Sequence, residues 1–500
     1  MDATTGTGPL HRADGIDWRA LVPEGGAEIP ALLRDIAAGG DAERNLDDAV
    51  AALYDLIRFP GPGYLAAPAV ADVLVDIACH PDTPAEWRSR PLSLLLEILV
   101  PNAADLLPWL PDIALWRDEV AWAAATDIDK VREQYWTWRE EAPDEQQYRR
   151  MRNRLDAVSR DNGPALLQAE LAVHDTVRAR ATDLVGLLDG RDNRRGIDPP
   201  AEWACYLLAF IPEAAEEVRA RLMASLPPAP GLQGAGGREA PGRPRQASVL
   251  GGEQEDVLSA ELFALGMLTP PDDPAATVAL AHEMASGHLY NAFAAAVALT
   301  VIHGEKAPRE CLTRITAGVR TRVGANGLFG DSWPHCGEAE PEVLGFLALG
   351  RGGEATRETR LEMLPGVIAR AEGAVRAIVA GDALEMAFGP RTGEAAAEAP
   401  ADIEEPALLV LWAIAELPAA AWAESDIGAT VEAWGLPADR AEFRAFAGVD
   451  GEDGTDDGTD NANEDTAAAQ ERSGQAAPPA TAQRQSRGLF SRLFGADPGA

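Results

Sequence analysis

Six histidine and cysteine side chains in the second half of the chain are of types that could bind a metal ion. They are His282, His288, His303, Cys311, His335 and Cys336. A zinc site needs three or four ligands that converge at about 2.0 to 2.3 Å, usually from close sequence pairs. His282 and His288 are six residues apart, which places them on different faces of a continuous helix. We therefore predict neither a metal site nor a cofactor. A metal-dependent or other enzyme built on a helical solenoid is the alternative hypothesis.

Glycine motifs that would indicate a nucleotide-binding loop, a dinucleotide fingerprint or a serine hydrolase are absent from the chain. Carboxylates are abundant, with 80 Asp and Glu residues, so carboxylate pairs arise by chance on helical faces. No acid and base pair can be singled out from spacing alone. The sequence therefore predicts a non-enzymatic protein without catalytic residues.

Helical periodicity in residues 46–100 predicts two antiparallel helices and the start of a third. The first apolar stripe consists of Val50, Leu53, Tyr54 and Ile57. A Pro- and Gly-rich break at residues 59–63 ends it, and a second stripe follows at residues 70–77. Alanine and leucine dominate the composition and alternating β-branched runs are rare, which favours an all-α fold.

The tetrapeptide Pro-Ala-Glu-Trp occurs twice, and both copies follow an apolar helix and a turn rich in Pro and Asp. The first copy begins at Pro84 and the second at Pro200. Proline in a first turn and a carboxylate near the positive end of the helix dipole both fit a helix N-terminus. The recurrence indicates a repeated helical hairpin.

This pattern of paired helices with Asp and Pro turns resembles HEAT-repeat proteins. More narrowly, Leu53, Tyr54, Gly61 and Tyr64 resemble the first repeat of a group of bacterial HEAT-domain proteins of undefined function. That group tends to carry a His-Gln pair where this chain has Phe59 and Pro60. The resemblance implies an α-solenoid with an extended concave surface of the kind that commonly binds proteins.

Changes in composition divide the chain into six segments. They are an N-terminal lead-in or cap (1–45), an N-terminal HEAT-like array (46–226), a flexible loop (227–252), a C-terminal helical array (253–448), a disordered acidic and polar linker (449–483) and a short amphipathic tail (484–500).

The net charge of −37 argues against nucleic acid as a partner, because the protein would repel a phosphate backbone. The same charge favours a basic protein partner. The N-terminus lacks the pattern of a secretory signal, and the longest strongly apolar run, near residues 407–415, is short for a bilayer span. We therefore expect a cytoplasmic protein without an integral membrane span.

Two segments have more than one interpretation. Residues 109–160 contain several tryptophans followed by a charged helix at 144–160. The tryptophans either fill gaps between helices, with the charged helix presenting a solvated face, or form a partner-binding patch.

The tail at 484–500 is the second such segment. Its predicted partner-binding residues are Arg487, Leu489, Phe490, Arg492, Leu493 and Phe494. Its four Leu and Phe side chains share one face of a helical turn. This pattern predicts a docking peptide for a groove on another protein. The alternatives are a weak membrane-surface anchor, an apolar disordered end without a binding role, and a turn that docks on the protein's own helices. For the protein as a whole, the leading hypothesis is a non-enzymatic scaffold or adaptor that binds a protein partner on the solenoid surface.

Overall fold

The computed structural model of this chain is helical throughout the part that it describes. The described residues are 8–40, 45–101, 112–188, 199–226, 259–286, 289–320, 341–391 and 403–449. No β-strand occurs within these ranges, which confirms the all-α class. The predicted loop at 227–252, nearly all of the linker at 449–483 and the tail at 484–500 lie outside them.

The helices fall into two sets, before and after the predicted loop. The first set is α1 (Trp18–Leu21), α2 (Ile29–Ala38), α3 (Leu46–Ile57), α4 (Ala67–Cys79), α5 (Ala85–Leu99), α6 (Ile113–Ala125), α7 (Ile128–Glu140), α8 (Glu145–Val158), α9 (Gly163–Ala179), α10 (Ala181–Gly186), α11 (Pro199–Ala209) and α12 (Ala215–Ser225). The second set is α13 (Ser259–Leu268), α14 (Pro274–Met284), α15 (Leu289–His303), α16 (Arg309–Arg320), α17 (Pro341–Gly350), α18 (Arg357–Arg370), α19 (Gly373–Phe388), α20 (Glu405–Ala415), α21 (Ala419–Glu424), α22 (Ile427–Glu432) and α23 (Arg440–Phe446).

The hairpin predicted in residues 46–100 is present as α3, α4 and α5. Asn45 caps α3 by accepting a 2.8 Å hydrogen bond from the backbone N–H of Asp48, which satisfies one of the free donors at the helix start. The hydroxyl of Tyr64, just before α4, donates a 2.6 Å hydrogen bond to the carbonyl of Ile98 in α5. This bond ties the break between the first two helices to the third.

The two Pro-Ala-Glu-Trp copies begin helices that pack directly against each other. Pro84 is the N-cap of α5, and Pro200 is the second residue of α11. Both positions agree with the prediction, and α5 contacts α11. The stack continues from α11 to α13 and from α13 to α15. Helices α6–α10 are therefore inserted, in sequence, between two neighbours of this stack.

The contact between α13 and α15 depends on a glycine. A Cβ atom added to Gly266 of α13 would lie 2.6 Å from the Cα of Ala298 in α15. That distance is well inside van der Waals contact, so the two helix backbones approach closely only because position 266 has no side chain.

The inserted block also contacts the C-terminal helices. Arg152 of α8 pairs with Asp426, the N-cap of α22, at 2.5 Å. Arg149 donates a 3.3 Å hydrogen bond to the hydroxyl of Thr430, and Gly381 of α19 leaves room for the side chain of Glu145. A linear array, in which each repeat contacts only its neighbours, does not predict this contact between distant parts of the chain.

Glu97 is a half-buried residue whose carboxyl group is turned into the protein. It lies on α5 between the buried residues Leu96 and Ile98. Both of its carboxyl oxygens are buried, and neither has a hydrogen-bond partner among the described residues. Burial raises the pKa of Glu97 to about 8, so this side chain is mostly protonated at neutral pH.

One described helical run, Pro62–Cys79, is long and apolar enough to cross a membrane by length and composition. Of this run, 61% is buried inside the protein, and core helices of folded proteins have the same properties. No second run of this kind occurs within the described residues.

Candidate partner-binding cleft

An open cleft of about 690 Å³ lies between α6 and the turn that joins α7 to α8. Its walls combine aromatic rings with carboxylates. The lining residues are Leu115, Asp118, Glu119, Trp122, Trp138, Glu141, Ala142, Pro143, Asp144, Gln147 and Met151. We call this feature the Trp122–Trp138 cleft. It lies within the segment for which the sequence left a partner-binding patch open.

Helix α6 forms one wall through a single face. Leu115, Asp118, Glu119 and Trp122 follow the spacing i, i+3, i+4 and i+7, which aligns side chains on an α-helix. Asp112 caps this helix by accepting hydrogen bonds from the backbone N–H groups of the second and third helical residues. The cap fixes where the helix begins and hence which residues face the cleft.

The aromatic side of the cleft is a packed cluster. The ring centroids of Trp122 and Trp138 are 5.4 Å apart. Buried Tyr135 makes edge contacts with both rings, at centroid distances of 6.1 and 5.4 Å. Both tryptophans stay half-buried, so each packs on the cluster and still offers ring surface to the cleft. Such pre-packed rings lose little entropy when a ligand contacts them.

The carboxylates of the cleft differ in how far they are already neutralised. Glu119 accepts a 2.8 Å hydrogen bond from the Tyr135 hydroxyl and lies 3.4 Å from the Nε of Arg154. Asp144 caps α8 by accepting a 2.7 Å hydrogen bond from the backbone N–H of Gln147. Asp118 and Glu141 are exposed and form no ion pair within the described ranges. These two carboxylates are therefore the negative charges most available to a ligand.

Arginines of the protein itself stack on aromatic rings next to the cleft. The guanidinium of Arg139 lies 3.8 Å from the centroid of Trp136, which is 55% exposed. Arg391 lies 3.6 Å from the centroid of Tyr148, and its backbone N–H donates to the carbonyl of Pro143 at 3.3 Å. The surroundings of the cleft thus already hold guanidinium groups by the contacts that a basic ligand would use.

A buried ion-pair network lies beneath the cleft. Arg154 of α8 is 2% exposed and pairs with Glu170 of α9, which is equally buried. The ring of Trp116 lies 5.7 Å from this guanidinium. Because neither charge can be left alone in the core, the pair holds α8 against α9 and, through Glu119, against α6. This network supports the wall of the cleft.

The interpretation of residues 144–160 as a solvated charged face holds for Arg152, Asp156 and Arg160, which are exposed, but is wrong for four other charged residues. The buried charged residues of this helix are Glu145, Arg149, Arg150 and Arg154. Arg149 pairs with Glu145 one turn away on the same helix. The other contacts reach further helices, from Arg154 to Glu170 of α9 and from Arg149 to Thr430 of α22, and no local pattern could indicate them. Gap filling does apply to Trp116, which is buried, but not to exposed Trp136, and Trp109 lies outside the described residues.

The candidate metal ligands are only partly described. His282 lies on α14, and the Nε2 of His303 lies 3.1 Å from the Thr277 hydroxyl. The Sγ of buried Cys311 lies 3.7 Å from the sulfur of Met284. No three His, Cys, Asp or Glu residues in the described part of the chain are arranged to hold a metal ion.

Nine predicted or candidate positions lie outside the described residues. His288, His335 and Cys336 fall outside the described ranges, as does the whole tail at 484–500. The tail residues concerned are Arg487, Leu489, Phe490, Arg492, Leu493 and Phe494. Their proposed docking role therefore stays a prediction.

No family model, curated protein or solved structure matches the chain. The resemblance to HEAT repeats accordingly rests on the sequence pattern alone.

Proposed function

We propose that this protein is a non-enzymatic helical scaffold or adaptor that binds a short basic segment of a protein partner in the Trp122–Trp138 cleft. The observation that carries the proposal is the placement of two uncompensated carboxylates, Asp118 and Glu141, beside a pre-packed aromatic pair. The HEAT-like solenoid remains part of the proposal, as the scaffold that presents the cleft.

The chemistry of the cleft suits a guanidinium or ammonium group flanked by apolar side chains. A cation over an indole ring gains about 0.5 to 2 kcal/mol, depending on how far it is desolvated. Carboxylates add charge-assisted hydrogen bonds, which Arg makes in bidentate geometry. Leu115 is 67% exposed and extends the apolar surface at the edge of the cleft. Arginine with leucine or phenylalanine is the residue combination that uses all three features.

The size of the cleft limits what it recognises. A volume of about 690 Å³ falls within the range of small-ligand pockets and admits a few side chains. The net charge of −37 would attract a basic partner from a distance and raise its association rate. We therefore propose a short linear segment as the recognised element and a basic protein as its source.

Isothermal titration of the full chain with three 12-residue peptides tests this function. The first peptide has three arginines and four leucines in an order unrelated to this chain, the second replaces arginine with glutamate, and the third with glutamine. We expect binding of the basic peptide alone. Its affinity should fall as salt rises from 0.1 to 1 M, since the Debye length shortens from about 10 to 3 Å.

Charge reversal in the cleft provides the specific control. Asp118→Lys with Glu141→Lys should weaken binding of the basic peptide at least tenfold. A matched pair at exposed positions outside the cleft, Glu24→Lys with Glu358→Lys, changes the net charge equally and should leave the affinity within about twofold. Equal losses in both double variants would mean that net charge, and not the cleft, attracts the peptide.

A further inference from the structure

We propose that residues 484–495 of this same chain occupy the Trp122–Trp138 cleft in the free protein and so compete with a basic partner. The regulatory part of this proposal rests on the proposed function, whereas occupancy of the cleft by the tail does not. The cleft combines a packed aromatic pair with two exposed carboxylates, and the tail has the complementary composition.

The tail and the Trp122–Trp138 cleft are complementary in charge and both offer apolar surface. Residues 484–495 contain three arginines, four Leu or Phe residues and no carboxylate, within a chain whose net charge is −37. Asp118 and Glu141 offer two exposed carboxylates, and Trp122 and Trp138 offer ring faces. Each exposed ion pair strengthens binding by about two- to fivefold. Aromatic contacts with Leu and Phe add to this gain.

The last C-terminal helix, from which the chain continues toward the tail, lies within reach of the cleft. Ala447 accepts a 2.8 Å hydrogen bond from the indole of Trp412 in α20. From α20, the packing continues through α19 to α8, which contributes Gln147 and Met151 to the cleft. These are three helix-to-helix steps from α23, each of about 8 to 10 Å.

The length of the intervening chain is sufficient for this distance. Residues 450–488 connect the last described residue, Val449, to the apolar part of the tail. A chain of about 40 residues spans roughly 35 Å even when it is no more extended than a random coil. A tether of this kind produces a local concentration in the millimolar range, so a weak intrinsic affinity suffices for occupancy.

Two other parts of the chain are alternative binding sites for the tail. Residues 450–465 carry eight acidic side chains, but they offer no aromatic surface. Leu409 and Trp412 of α20 are each 42% exposed, and exposed Glu405 and Glu416 lie on the same helical face. The Trp412 indole, however, already donates a hydrogen bond to Ala447. The α20 surface is therefore a competing site that the experiment must test directly.

A labelled peptide with the sequence of residues 484–495 tests occupancy by fluorescence anisotropy. The proteins are the full chain and a full chain with Phe490→Asp and Phe494→Asp, which removes apolar contacts of the tail and leaves the described residues unchanged. We expect the peptide to bind the tail variant at least tenfold more tightly than the unaltered chain. The tethered tail of the unaltered chain would occupy the cleft and exclude the peptide.

Substitutions in the cleft, made in the tail variant, then locate the binding site of the labelled peptide. Asp118→Lys with Glu141→Lys should weaken peptide binding at least tenfold, whereas Glu24→Lys with Glu358→Lys should change it by less than about twofold. Loss of binding in Leu409→Glu, with retention in the Asp118 and Glu141 double variant, would assign the tail to α20 and overturn the proposal. Equal peptide affinity for the unaltered chain and the tail variant would also overturn it.

Two further measurements distinguish this proposal from self-association through the tail and from the proposed function. Light scattering that shows self-association of the unaltered chain, lost in the tail variant, would place the tail on a second copy and overturn the intramolecular arrangement.

The unrelated basic peptide distinguishes a failure of the proposed function from a failure of autoinhibition. If it binds the unaltered chain and the tail variant equally, and through the cleft, the function stands and autoinhibition fails. If it binds independently of the cleft while the tail peptide requires the cleft, occupancy stands and the function fails.

Discussion

Replacing Glu97 with glutamine should make the stability of this protein less dependent on pH. The carboxyl group lies in the core without a hydrogen-bond partner among the described residues, and burial raises its pKa from 4.5 to about 8. At about 1.4 kcal/mol per pH unit, ionising Glu97 costs the folded state about 5 kcal/mol more than the unfolded chain. Glutamine removes this ionisation, while its own burial cost does not vary with pH.

The sign of the effect follows from the pH at which the folded and the unfolded state each release the proton of Glu97. Below about pH 4.5 both states keep the proton on Glu97, and the site adds no pH dependence. Between about pH 4.5 and 8 the unfolded chain releases the proton and the folded protein retains it, so stability falls as pH rises. Above pH 8 both states are ionised and the full cost is present. At pH 7 the cost is about 3 kcal/mol.

Urea unfolding followed by tryptophan fluorescence at pH 5, 7 and 9 measures this difference. The free energy of unfolding of Glu97→Gln, relative to the unaltered chain, should rise by about 4 kcal/mol from pH 5 to pH 9. Glu86→Gln on the same helix is the matched control, because Glu86 is exposed and this variant also replaces a carboxyl group with an amide. A relative stability of Glu97→Gln that is constant across this range would show that Glu97 ionises as in water, and would refute the reasoning.

The structure also predicts the effects of changes at two other positions. Arg154→Met should destabilise the protein by about 3 to 5 kcal/mol, because it removes the buried guanidinium that pairs with Glu170. Adding Glu170→Leu should recover much of that loss in urea unfolding, and an absence of recovery would mean that Arg154 acts through packing alone. Gly266→Ala should cost about 1 to 3 kcal/mol, since the new methyl group would collide with Ala298. Gly186→Ala, where an added Cβ meets no atom within 4 Å, is its control; an equal melting temperature for the two variants would contradict the close helix approach.

Local periodicity predicted the helical hairpin at residues 46–100 because that information lies within single helices. The sequence also contained the signal for Glu97, a single charge within the apolar run of α5, although its burial could only be established from the packing. The Arg154 network could not be predicted, because its partners Glu119 and Glu170 lie on two other helices. A helix rich in arginine looks solvated until the helices that supply carboxylates are known to surround it.

The cleft is an intermediate case. The sequence drew attention to its tryptophans, and the i, i+3, i+7 spacing of Leu115, Asp118 and Trp122 could have indicated that one face of α6 combines charge with apolar surface. Glu141 lines the cleft opposite this face of α6 only because it lies in the turn between α7 and α8. The proposed recognition of a basic segment therefore depends on a tertiary contact that helical periodicity does not encode.

The contact between α8 and α22 has a consequence during synthesis. Arg149 and Thr430, which form one of its hydrogen bonds, are separated by 281 residues. Ribosomes add about 5 to 20 residues per second, so roughly 15 to 55 seconds pass between the emergence of the two helices. During that time a nascent chain carries α8 without its C-terminal cover. A chaperone that holds partly assembled helices would have its longest opportunity on this protein at that stage.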